Sequence, residues 1–172
     1  QLHRRRFFTE NRQQGSERGV EWQWAVDSRS VTASYIKYWA DATVLAERLK
    51  YQVDRTSLRY IQGLTPGFSL RTSLGGQWAR DKNLPSAEQF FIGGEGSVRG
   101  YPVGAFSGYQ GYALNDELHH PLGNASLGTQ TLSATRLSFV DHRRPLPYRP
   151  PASLFPPREK LTGVGCGLNA AV

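Results

Sequence analysis

Between Phe90 and Tyr101 the chain reads Phe-Phe-Ile-Gly-Gly-Glu-Gly-Ser-Val-Arg-Gly-Tyr, so that Gly93, Gly94, Gly96 and Gly100 surround a single cation, Arg99. Glycine tolerates positive φ and close backbone approach, and so many in so short a run describe a sharply folded loop that presents one guanidinium. Two nucleotide-binding readings fail on spacing. A Walker-type phosphate cradle ends in Gly-Lys-Ser/Thr, and no such lysine follows; a dinucleotide fingerprint needs a third glycine where Arg99 stands. What remains is either an ordinary glycine-rich turn of a β protein or a guanidinium aimed at a carboxylate, with which its planar fork makes bidentate, charge-assisted bonds.

Other reactive side chains offer little chemistry. His119 and His120 are adjacent, so in a strand they point to opposite faces and cannot ligate one metal together. No Cys or carboxylate cluster has metal-ligand spacing, and no elbow motif singles out a nucleophilic serine. Cys166 lies between Gly165 and Gly167 in a strand-like segment, where a small buried residue is the default expectation. A non-enzyme without cofactor or metal is expected. The formal charge of +7 raises nucleic acid as a partner, but the only dense runs are Arg4-Arg5-Arg6 and His142-Arg143-Arg144, and such runs are usually solvated faces or loops. No nucleic-acid partner is expected; a soluble basic β domain that binds one is kept as an alternative.

The elements that must position Arg99 are strands. Apolar and polar residues alternate, the signature of a half-buried strand, in Val20–Val26, Val31–Tyr35, Leu49–Val53, Phe68–Trp78, Tyr112–Leu118, Leu137–Phe139 and Val164–Leu168. Seven or eight antiparallel strands result, of about 9–14 residues, a length that suits tilted membrane strands better than soluble ones. Ala42–Tyr51 is read as strand for want of a stop signal; Ser28-Arg29-Ser30, Gly63-Leu64-Thr65-Pro66-Gly67 and Pro121-Leu122-Gly123-Asn124 are read as turns. No apolar run reaches the roughly 18 residues of a membrane helix, whereas a transmembrane barrel, apolar only at alternate positions, remains open. Trp39, Tyr60, Trp78 and Tyr112 near strand ends fit interfacial girdles. A water-soluble sandwich or barrel alternates too.

Residues 80–111 are too long for a hairpin turn and read as an ordered functional loop, while residues 142–159, with Pro145, Pro147, Pro150, Pro151, Pro156 and Pro157, read as an extended exposed loop. The chain opens at Gln1, contains no methionine and shows nothing that resembles a cleavable signal peptide, so it reads as an internal piece or a processed remnant.

The run from Gln89 to Tyr101, continuing through Gly104-Ala105-Phe106-Ser107-Gly108, Gly111-Tyr112 and Asn115-Asp116-Glu117-Leu118, resembles the C-terminal half of the two-partner secretion transporters of the Omp85 superfamily, the haemolysin-activator and filamentous-haemagglutinin secretion proteins. Val98-Arg99-Gly100-Tyr101 is similar to the signature at the tip of their long infolded loop. The resemblance implies that residues 1–172 are the C-terminal part of an all-β, antiparallel transmembrane barrel, about half of a larger one. It implies a bacterial outer-membrane location, contact with outer-membrane lipid, and a large secreted exoprotein of haemolysin or adhesin type as partner. It also implies a plug motif of Gly93, Gly94, Gly96, Val98, Arg99, Gly100 and Tyr101, with Arg99 meeting an acid of a Phe-x-Asp-x-Gly-like motif on the barrel wall. Phe139-Val140-Asp141 matches the start of that motif, making Asp141 the expected partner. Where the family has its glycine this chain has Arg143, which is expected to compete for Asp141 or to push the strand out of register. Alone, the chain is expected neither to close a pore nor to secrete; a small independent outer-membrane barrel is the other membrane alternative.

Overall fold

Because successive side chains of a strand point to opposite faces, alternation sorts this chain into one continuous sheet. The computed structural model describes residues 2–12, 15–44, 47–64, 67–80, 84–127, 130–146 and 160–171. Its strands are β1 (Leu2–Arg12), β2 (Gly15–Val26), β3 (Arg29–Val44), β4 (Glu47–Gly63), β5 (Ser69–Ala79), β6 (Phe90–Ile92), β7 (Phe106–Gly108), β8 (Gln110–Leu127), β9 (Gln130–Leu146) and β10 (Leu161–Ala171). Eight of them form an antiparallel sheet in the order β1-β2-β3-β4-β5-β8-β9-β10, while β6 and β7 make a separate hairpin. The long strands are those of a barrel wall. Among the described residues β1 and β10 are not paired with each other, so the wall is open and forms part of a larger barrel.

The register separates two chemistries. One row across the sheet joins Trp22, Ala33, Leu58, Leu74 and Leu114; the neighbouring row, on the opposite face, joins Gln23, Thr32, Arg59, Ser73, Asn115 and Asp141 before reaching Gly163. The polar row lies on the face against which residues 84–109 are folded, and the apolar row looks outward. Leu58, Leu74, Val140, Val164 and Leu168 are exposed, whereas Asp141 is completely buried. A soluble sandwich would bury the first set and solvate the second. The inverted pattern is that of a membrane barrel, with an apolar band toward lipid and a polar interior. No helix of the described residues is long and apolar enough to cross a membrane.

Trp39, Trp78 and Tyr112 are exposed, and Trp39 lies under the cations of Arg18 and Lys37 at 5.9 and 5.8 Å from its ring centroid. Apolar packing on the inner face is confined to two clusters. Tyr38, Ala40, Tyr51, Val53 and Ala79 hold Leu84 and Tyr109 from the base of the loop, and Ile92, Val98 and Leu161, with Phe90 and Ala105, hold its tip.

Several sequence expectations need correction. Ala42–Tyr51 is not one strand: β3 ends at Val44, β4 begins at Glu47, and the two pair as a hairpin that no Gly or Pro announces. The turn expected at Ser28-Arg29-Ser30 lies at Asp27-Ser28, where Asp27 takes φ +50°, a conformation Asp tolerates better than most residues. Pro121–Asn124 is no turn either. β8 continues to Leu127 and absorbs these residues as a bulge between Pro121 and Gly123, the irregularity at which a strand can carry proline. β9 runs to Leu146, so residues 142–146 belong to the wall rather than to the proline-rich loop, whose remainder, 147–159, lies outside the described residues. The two basic runs are also on strands, β1 and β9, and Cys166 is exposed on the outward face of β10 rather than buried.

This sidedness predicts opposite outcomes for neighbouring rows. Leu74→Arg, on the outward face, is expected to destabilise the barrel by about 2–4 kcal/mol in lipid, whereas Ser34→Arg, on the inner face opposite Glu21, is expected to change little. Urea titrations of a complete family barrel carrying these strands, folded into lipid vesicles, measure both.

Candidate functional site

The chain between β5 and β8 does not run over the rim but doubles back onto the inner face. A short 3-10 turn at Ser86–Glu88 precedes β6, and β6 pairs with β7 through Phe90–Gly108, Phe91–Ser107 and Ile92–Phe106. Residues 93–105 form the tip. Gly93 and Gly94 have φ of +103° and +94°, and a side chain on either would collide with the returning segment at Pro102 or Val103, so the turn admits only glycine there. Ser97 closes it: its Oγ accepts from the Gly93 N–H at 2.9 Å, and its own N–H donates to the Gly94 carbonyl at 3.0 Å. The folded tip leaves Val98 completely buried and turns Arg99 toward the wall.

At the wall Arg99 meets both strands of the β8–β9 pair. Its Nε and Nη2 donate to the two oxygens of Asp141 at 2.8 and 2.7 Å, its backbone N–H donates to Asp141 Oδ2 at 3.0 Å, and its Nη1 donates to Glu117 Oε1 at 2.7 Å. The Phe139 ring lies 3.6 Å from the guanidinium carbon, a cation–π contact that shields one face of the ion. Asn115 Nδ2 donates both to Asp141 Oδ1 and to the Ser97 carbonyl, each at 2.9 Å, tying acid and loop together. His119 Nε2 is 2.9 Å from Glu117 Oε2. Hydrogen bonding to Asp141 raises the pKa of Arg99 above its ordinary value in spite of burial, so the cation is permanent.

The sequence-derived residues Gly93, Gly94, Gly96, Val98, Arg99, Gly100 and Tyr101 thus lie in one tip, and Phe139 and Asp141 face it from β9. Arg143 neither takes Asp141 nor shifts the register: β9 and β10 stay paired without interruption through Asp141–Gly163 and Arg143–Leu161. Instead its Nη2 donates to the Gly96 carbonyl at 3.2 Å and its guanidinium carbon sits 5.9 Å from the Phe90 ring centroid, so it holds the tip from a second side. Sequence reasoning missed Glu117, Asn115 and His119, although all three share one strand face with a spacing of two. It also missed the anchor at the base, where Arg55 donates to Glu88 Oε2 at 2.6 Å and Gln77 to the Glu88 carbonyl at 2.8 Å.

Gly163 on β10 completes the seat. A Cβ there would lie 2.5 Å from the Arg99 carbonyl oxygen, a backbone atom that cannot turn aside. Chemically the arrangement binds and orients; among the described residues no group of three or more His, Cys, Asp and Glu could hold a metal. Its capacity is to fix a loop inside a polar concavity.

The family model described as haemolysin secretion/activation protein ShlB/FhaC/HecB matches residues 4–142. The matched span runs from β1 into β9 and contains the whole loop, Glu117 and Asp141. No curated protein and no solved structure matches the chain significantly.

Two substitutions test the seat. Gly163→Ala is expected to force the Arg99 backbone away from the wall, and Arg143→Gln to loosen the tip at Gly96 by about 1–2 kcal/mol, the scale of a hydrogen bond from a charged donor. Both should appear as faster thiol labelling of a cysteine placed at Val98 in a Cys166→Ser background; unchanged labelling contradicts the described contacts.

Proposed function

The chain belongs to the haemolysin secretion/activation family, and we propose that it supplies part of the wall and the plugging loop of an outer-membrane pore through which one large exoprotein, of haemolysin or adhesin type, is exported. The family is one of secretion proteins and not of enzymes. The observation that carries the finer reading is the Arg99 network. A loop of this length folded into the polar concavity of a barrel wall occupies the space a passing chain would need, and Arg99 is what fastens its tip.

In this reading the loop is a plug and Arg99 its latch, with Asp141 and Glu117 as the receiving groups. The outward apolar rows contact outer-membrane lipid. The Asp27-Ser28 turn lies on the rim opposite the long β5–β8 connection and is read as periplasmic, since the long loops of such barrels lie on the extracellular side. Lipid does not tolerate unpaired strand edges, so a conducting pore needs strands beyond these eight to pair with β1 and β10. The eight alone are therefore expected to be inactive.

Removing Arg99 leaves Asp141 buried without a cation, and breaking a buried pair in this way costs roughly 3–5 kcal/mol. Arg99→Ala and Asp141→Ala, introduced at these positions of a complete family transporter, are expected to displace the loop and to alter export of its partner. Wild-type secretion together with an unmoved loop in both variants would defeat the latch reading.

A further inference from the structure

On the inner face of β5, directly opposite Glu117 in the β5–β8 register, stands Arg71. The two residues share the lining of a cavity of about 330 Å³ with Arg59 and Asn115. Directly opposed residues of antiparallel strands have Cβ atoms about 4.5–5.5 Å apart, well within the reach of an arginine for a carboxylate. Arg71 nevertheless engages no acceptor among the described residues. Glu117 is already compensated without it, its Oε1 accepting from Arg99 and its Oε2 facing His119. With the loop seated, Arg99 binds both Glu117 and Asp141, while Arg71 and Arg59 line the cavity beside Glu117.

We propose that Arg71 is the replacement partner of Glu117, a positioning residue that receives this carboxylate when Arg99 leaves. The proposal rests on reading the loop as a movable plug. Withdrawal of Arg99 frees Glu117 Oε1, and the vacancy lies beside a cation already on the neighbouring strand. Arg71 needs only a rotamer change to fill it. The seated state leaves Arg71 without an acceptor among the described residues, whereas the withdrawn state pairs it with an acid, so a barrel that must open is spared the full cost of stranding Glu117. The consequence has a distinctive sign. Deleting a side chain that touches no loop atom should tighten the loop, whereas loss of a merely structural contact would loosen it.

Thiol labelling of Val98→Cys in a Cys166→Ser background, with these strands carried in a complete family barrel folded in lipid, reads the fraction of time the tip is withdrawn, because Val98 is completely buried when the loop is seated. A cysteine at Val53, buried under the base of the loop, reports unfolding and should not respond. Arg71→Gln is expected to slow labelling at 98 by about two- to fivefold, the scale of a solvent-accessible charge pair. Arg71→Lys should restore most of the rate. Arg59→Gln, whose register partner is Ser73 rather than an acid, should act more weakly. Unchanged or faster labelling in Arg71→Gln overturns the hand-off while leaving the plug intact, provided Arg99→Ala labels faster than wild type. If Arg99→Ala labels no faster, the plug reading fails and the hand-off with it.

Discussion

A completely buried carboxylate, Asp141, sits in the wall of this protein, and the rest of the site is arranged around keeping it satisfied. An isolated carboxylate in such surroundings is expensive to maintain. Asp141 collects two side-chain bonds and one backbone bond from Arg99 and a further bond from Asn115. Because three of these come from a loop distant in sequence, the acid cannot be content unless the loop is inside. The planar fork is held by two carboxylates, and the Arg99 backbone N–H adds a third bond to the buried one.

The sheet supplies the second condition. Its polar rows face the loop and its apolar rows face outward, so the concavity is polar where the loop does not fill it, as the cavity bounded by Arg59, Arg71, Ser73 and Glu117 illustrates. The apolar contacts are instead placed at the base, around Val53 and Leu84, and under Val98. The loop is thereby held at its root by apolar packing and at its tip by apolar packing together with ion pairs.

Much of this was legible in advance. Strict alternation in stretches such as Val20–Val26 and Phe68–Trp78 is enough to give both strand and face, since the period of two leaves no freedom once one side chain is placed. The glycines of the tip were legible as a sharp turn for the same local reason. The hairpin at Val44–Glu47 was not, because no residue there is a specialist of turns, and neither was the run of β8 through Pro121, where pairing with β9 overrides a local turn signal at the expense of a bulge. Arg143 was misjudged because proximity in sequence to Asp141 suggested competition, while the loop tip, absent from any linear view, offers it the Gly96 carbonyl instead.

The sequence by itself determined the strand periodicity, the two-faced wall, the glycine-built tip and the candidacy of Arg99 and Asp141, all of which follow from local stereochemistry or from a motif. Only the tertiary structure decided that Glu117 shares Arg99, that Asn115 bridges acid and loop, that Gly163 makes room for the Arg99 backbone, and that Arg71 stands unoccupied opposite Glu117. Each of those facts depends on which residues the register places side by side, and register is fixed by the pairing of whole strands, a long-range property that no single segment of the chain encodes.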